Sequence, residues 1–243
     1  MSDTGQAKPE SQRWRDALGT MLRLLFFRAS REELVSVGWR HLALGLFCTW
    51  LVGMGRFWDN PRVGLLQHLG IGSVIYIFIL SLFLWLIIWP FRPRNWTYFK
   101  VLTFISLVSP PAALYAIPVE KLVTLATANS INAWLLAIVA TWRVGLLIFY
   151  LRRAGQLKRF PTFVATFLPL TIIVVVLTIL NLEQVVFNMM GGISEPTPND
   201  TAYGVLILLT WVSLPLFVPL FICYLWLLVH RLTSAKDNID ENE

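Results

Sequence analysis

An all-α, polytopic membrane helical bundle is the fold class this sequence predicts, and three observations predict it. The 243 residues are 56% hydrophobic and only 14% charged, where a soluble domain is about 45–50% apolar and about 25% charged. The apolar residues stand in long blocks, near the ~20 residues a helix needs to cross a bilayer. The basic residues gather between alternate blocks, as membrane orientation requires. They do not line one face, as a nucleic-acid surface would require, so the net charge of +6 implies no nucleic-acid partner.

The elements follow in order. Residues 1–12, MSDTGQAKPESQ, read as a disordered start. Residues 13–34 read as a cytoplasmic amphipathic helix. Trp14, Leu18, Met21, Leu22 and Leu25 share one face, with Asp16, Thr20 and Arg23 opposite; Phe27 falls on the polar side. A basic helix of this kind lies in the headgroup layer of an anionic leaflet, so anionic lipid is the expected partner. The competing reading is a helix packed on the protein's own cytoplasmic loops.

Residues 35–232 read as a transmembrane domain of six spans: 37–55, 70–89, 101–119, 130–151, 162–181 and 203–229. The first is the weakest, because Arg40 and His41 stand near its start. The last is the longest, and Pro215 and Pro219 predict a bend or tilt within it. Residues 233–243 read as a disordered acidic tail. The first apolar block begins near Leu42, too far along for a cleavable signal peptide, so the first span is the expected insertion signal.

The charges orient these spans. Lys8, Arg13, Arg15, Arg23, Arg28, Arg31 and Arg40 precede the first; Arg92, Arg94 and Lys100 follow the second. Arg152, Arg153, Lys158 and Arg159 follow the fourth, and Arg231 and Lys236 follow the sixth. The opposite side holds only Arg56, Arg62 and Lys121. The bias predicts that both termini are cytoplasmic, and an even number of spans requires the same. A bacterial inner membrane is the expected location; the one secretory-type mark is the short sequon Asn199-Asp200-Thr201 in the outer loop.

The outer loop between the first two spans is half apolar and predicts a short surface helix starting near Pro61. The outer loop from Phe187 carries two glycines, two prolines and no Lys or Arg, and reads as flexible and acidic.

No catalytic or cofactor set is legible. His41, His68 and His230 lie at three different span ends without metal-ligand spacing. No Asp or Glu stands well inside a span; Glu120 and Glu183 sit at outer ends. Gly-rich phosphate loops and a Gly-x-Ser-x-Gly elbow are missing. Cys48 and Cys223, each inside an apolar block, imply no disulfide framework. The expectation is therefore a protein that is not an enzyme and takes no cofactor or metal.

Two features remain inside the spans. Arg143 interrupts the fourth, in TWRVGLLIFYLRR. The third contains SLVSPPAALYAIP, where Pro110 and Pro111 lack amide hydrogens and leave the carbonyls of Ser106 and Leu107 without helical donors. Counting in from the cytoplasmic ends, Leu107 lies about 9 Å deep and Arg143 about 12 Å deep at 1.5 Å per residue. The depth match predicts that Arg143 donates to the backbone around Ser106 and Leu107. Snorkelling of Arg143 to the headgroups and a water-filled cavity around it stay open beside that reading.

The stretch 98–177 resembles the Yip1-type membrane domain. The residues that carry the resemblance are YFKVLTFISLVSPPAALYAIP, with its aromatic-basic start and Ser-x-x-Ser-Pro, then LLAIVATWRVGLLIFYLRRAGQL, with Trp142 and a short basic loop, then an apolar span. Eukaryotic members carry a Tyr-Gly-Pro signature that this chain lacks, and five spans are usual there. The resemblance implies a non-enzymatic protein that binds partners and organises membranes.

The expected function is thus a non-enzymatic integral membrane protein of interaction or scaffolding type, in membrane organisation or trafficking, with protein partners or further copies of itself. The alternative is a small transporter or channel for an anionic solute or lipid, using Arg143 and the proline-broken third span.

Overall fold

The computed structural model describes residues 10–57, 65–180, 182 and 201–240, and is helical throughout with no strand among them. Two short helices open the chain: α1 (Glu10–Leu25) and α2 (Arg31–Val35). The bundle is α3 (Trp39–Phe57), α4 (Leu65–His68), α5 (Ile71–Ile88), α6 (Tyr98–Leu107), α7 (Leu125–Arg153), α8 (Arg159–Ile179) and α9 (Thr201–Asp240). Short 3-10 turns fill the joins, and one of them, Pro110–Ala116, continues α6 after a 42° bend.

Among the described residues, four helices are long and apolar enough to cross a membrane, over Ile71–Phe91, Thr127–Arg153, Arg159–Ile179 and Ile207–His230. The bent pair of α6 and Pro110–Ala116 makes a fifth candidate. This is the signature of an integral membrane protein. The expected first span corresponds to α3, which falls short of that test. Its 19 residues are long enough, but Arg40 and His41 in its first turn and Arg56 in its last leave it too polar.

The helices pack as two connected groups. α3, α5 and α6 pack together, as do α7, α8 and α9; α7 meets the Pro110–Ala116 turn, and α5 meets α8. The core joins Ile88, Val101, Leu107, Leu146, Leu151, Val164 and Leu168. Phe104 and Tyr150 stack across it, ring centroids 4.2 Å apart. Many large apolar side chains remain on the outside, among them Ile79, Trp134, Trp211 and Val229, as a bilayer-facing surface requires.

The expected helix over 13–34 is two helices. α1 ends in a turn where Arg28 N donates to Arg23 O at 2.6 Å and Phe27 N to Leu24 O at 2.9 Å, the paired bonds of a Schellman motif. Phe27 takes the left-handed position, φ 60°, that glycine usually holds there. Its ring packs edge-on against Phe149 at 5.8 Å and leans over Gly145, which holds the strained backbone in place. α2 then starts in a capping box: Ser30 Oγ accepts from Glu33 N, and Glu33 Oε2 accepts from Ser30 N. The signal is written in the sequence as Ser-x-x-Glu.

The faces of α1 also differ from the helical wheel. Ala17, Thr20, Met21, Leu24 and Leu25 are buried, so Thr20 lies inward and not on a polar face. Leu18 and Leu22, assigned to the same face as Met21, point outward instead. The wheel groups apolar residues, but here α3 and α7 select the inward side. Trp14 meets Trp39 edge-on, and Trp142 Nε1 donates to Leu25 O at 2.9 Å.

At the C-terminus α9 continues to Asp240, through most of the segment expected to be disordered. Extending an existing helix adds a hydrogen bond per residue without a new nucleation cost. Prolines 215 and 219 both lie inside α9. Residues 1–9 and 241–243, the loop around Pro61, and the outer loop with its sequon at Asn199 lie outside the described residues.

Candidate functional site: the arginine at the broken helix

α6 is capped by Thr97, whose hydroxyl accepts from Lys100 N. It stops at Val108 (φ −93°, ψ 13°), and Pro110 and Pro111 open the 3-10 turn that follows. Proline is suited to that place because the first turn of a helix has no acceptor for its amide. The prolines therefore do not sit inside a continuing helix. The helix ends before them.

This decides where the unpartnered carbonyls lie. Ser106 O is satisfied locally, by Ser109 N at 3.2 Å and Ser109 Oγ at 2.7 Å. Arg143 instead donates from Nε to Val108 O at 3.2 Å and from an Nη to Ser109 O at 3.4 Å. The acceptors are thus Val108 and Ser109, and the expected pairing with Ser106 and Leu107 is corrected by two residues. Leu107 itself is a buried core side chain; Pro111 is buried and Pro110 half-buried. Tyr115 and Tyr76 lie close enough to interact electrostatically with the guanidinium.

Small and hydroxyl residues build the surroundings. A Cβ added to Gly45 would stand 2.4 Å from Ser106 Oγ and 2.8 Å from the Ser106 carbonyl carbon, so α3 and α6 touch through bare backbone. One added to Gly53 would stand 2.7 Å from Ser73 Oγ, which brings α3 equally close to α5. Between these glycines, Thr49 Oγ1 lies 2.8 Å from Gly45 O and 2.9 Å from Ser109 Oγ. Thr103 and Ser106 return their hydroxyls to Phe99 O and Thr103 O. Gly45, Thr49 and Gly53 recur at four-residue spacing, the pattern of close helix contact in membranes; that signal locates α3 against the break, and sequence reading passed over it.

A guanidinium carries five N–H donors, and Arg143 directs two to carbonyls at the break in the helix. The arrangement ties α7 to the α6 break. No group of three or more His, Cys, Asp or Glu side chains gathers as a metal set among the described residues. Cys48 and Cys223 are free thiols. No family model matches the chain, and no curated protein or solved structure matches it.

Proposed function

We propose that this is a non-enzymatic membrane protein of interaction or scaffolding type, whose N-terminal helix lies in the cytoplasmic headgroup layer and organises the membrane around it. The observation that carries the reading is that α1 is two-sided. Its Met21–Leu24 side is built into the bundle, while Leu18, Leu22 and Phe26, four residues apart, stay 44%, 47% and 61% exposed. Beside Phe26 lies an apolar groove of about 590 Å³ lined by Phe27, Trp134, Ile138 and Trp142 on the flank of α7. Phe26 meets Trp142 there, ring centroids 6.3 Å apart. Arg13, Arg15 and Arg28 add cations to the same segment, as an interfacial helix uses.

On this reading α3 is the first of six crossings. Its 19 residues rise about 28 Å, close to the ~30 Å hydrocarbon core. Both termini are then cytoplasmic, and the membrane is the bacterial inner membrane. The Yip1-type resemblance over 98–177 supports the same class of function. The binding of two Arg143 donors to backbone carbonyls favours it over an anion pathway.

Reconstitution of the full chain into anionic vesicles tests the proposal. Vesicle clustering or reshaping is expected to rise with protein density and to fall when Leu18→Glu and Leu22→Glu are combined, with no solute flux above protein-free vesicles. Anion flux that Arg143→Leu abolishes would replace this reading with the transporter.

A further inference from the structure

A second feature stands at the other end of the sequence's basic loops. The loop after α5 and the loop between α7 and α8 are joined by Arg94 N donating to Gly155 O at 2.9 Å and by the Arg94 guanidinium donating to Gln156 Oε1. Gly155 permits the seam: a Cβ there would stand 2.7 Å from Leu151 O and 3.1 Å from Pro93 Cβ. The two loops and α9 border a half-open cavity of about 360 Å³. Arg92, Arg94, Gln156 and Lys158 contribute polar groups to its wall, and α9 contributes Trp226 and His230.

Three properties of this cavity point to an anion. Among the described residues, no carboxylate lines it. Arg92, Arg94 and Lys158 have no ion-pair partner among the described residues. Lys158 is also the N-cap of the 21-residue α8, with no side-chain capping bond, so the positive end of that helix opens at the same place. Like charges around one cavity repel each other, and an anion bound among them relieves the repulsion. Arg92 and Gln156 both hold left-handed φ, 45° and 52°, a conformation that costs free energy in a non-glycine residue.

The rest of the wall is apolar, from Phe91, Leu157 and Leu227. Cationic rim and apolar floor together match a phosphate joined to hydrocarbon. We propose that the cavity binds a phosphate ester, carried by the headgroup of an anionic lipid whose chains follow α9 into the bilayer. Basic pockets between membrane helices on the cytoplasmic side are suited to such headgroups. The site is distinct from α1 and does not depend on the scaffolding reading.

Native mass spectrometry of the full chain in detergent, titrated with phosphatidylglycerol, phosphatidylcholine or soluble glycerol phosphate, tests it. Phosphatidylglycerol is expected to be retained at least tenfold more strongly than phosphatidylcholine. Arg92→Gln with Lys158→Gln is expected to remove that preference, whereas Lys100→Gln with Arg152→Gln, the same charge loss outside the cavity, is expected to keep it. Should the cavity variant not fold, the charge-conserving Arg92→Lys with Lys158→Arg is expected to keep the preference in place of wild type, and retention in wild type still decides. Equal retention of the two lipids, or equal loss in both charge variants, would overturn the site. Soluble glycerol phosphate bound as tightly as the lipid would overturn the lipid as carrier.

Discussion

Arg143 Nε points at the carbonyl of Val108 from 3.2 Å, at the place where α6 stops and the proline turn begins. In a continuous helix that carbonyl would accept from the amide of Ala112, which here donates to Ser109 O at 2.9 Å. The arginine supplies the donor that the break removes. A charged side chain within an apolar helix is costly unless it finds such partners, so the arginine and the break satisfy each other.

Arg143→Leu is therefore expected to lower thermal stability in detergent, by about 1–3 kcal/mol for the buried Val108 carbonyl left unpaired, while Ser109 O keeps the Ala112 amide. Arg143→Lys should recover only part, since a lysine cannot fork across two acceptors. Replacing Pro110 and Pro111 by Ala lets α6 continue and returns the Ala112 amide to Val108. The leucine substitution should then be milder in that background. Strict additivity across this double-mutant cycle would refute the pairing.

Gly45→Ala should disturb the bundle more than its size suggests. The new methyl meets Ser106 Oγ at 2.4 Å and backbone carbon at 2.8 Å, and backbone cannot rotate aside. Overpacking of this kind costs about 1–3 kcal/mol. Gly72→Ala on α5 is the control, because nothing lies within 4 Å of its added Cβ; there the better helix propensity should stabilise by up to about 1 kcal/mol. Ser106→Ala should rescue Gly45→Ala only in part, since it clears the hydroxyl but not the carbonyl carbon. Equal melting temperatures for Gly45→Ala and wild type would mean α3 and α6 are further apart.

What was legible follows from what a linear reading can measure. Long apolar runs around α5, α7, α8 and α9 mark themselves, because crossing a bilayer demands length and composition together. Arg143 and the double proline also mark themselves, as residues costly in their surroundings. Their pairing was displaced by two residues because the expectation assumed a helix running through Pro110, whereas the helix stops at Val108. The inward side of α1 was not legible, since Thr20 is buried by neighbours distant in sequence. Phe27 was the least legible, because no local pattern announces a phenylalanine at a left-handed helix end. The Ser30–Glu33 capping box and the Gly45-Thr49-Gly53 spacing were present to be read.

Topology gives a sharp test of the six-crossing proposal. Single cysteines at Ser194 and Gln156, in a chain with Cys48 and Cys223 replaced by Ala, should label differently in intact cells. The membrane-impermeant reagent should reach position 194 and miss position 156. Labelling of position 156 from outside would invert the charge bias and remove the six-crossing arrangement.

The joint between α1 and α2 predicts a pH dependence. Glu33 accepts from Ser30 N at 2.8 Å and pairs with Arg23 at 2.5 Å. Burial opposes its ionisation, but the Ser30 amide and the Arg23 guanidinium outweigh burial and hold its carboxyl below the usual glutamate value of 4.5. Glu32 is shifted the same way, chiefly by its hydrogen bond to backbone. A carboxylate whose folded pKa is depressed contributes stability in full above its unfolded pKa, and that contribution is lost as pH falls through the folded value. The joint should therefore be firm at neutral pH and loosen below about pH 4.5. Hydrogen exchange at the Ser30 and Glu33 amides reads this directly, with faster exchange expected, after correction for intrinsic rates, as pH drops below that point. Glu33→Gln should give the loosened rates at neutral pH and flatten the dependence. Arg23→Gln should shift the onset of loosening to higher pH, because it removes the guanidinium that helps hold the carboxyl ionised. A profile in Glu33→Gln identical to wild type would place the titrating group elsewhere and leave the capping box without the role assigned to it.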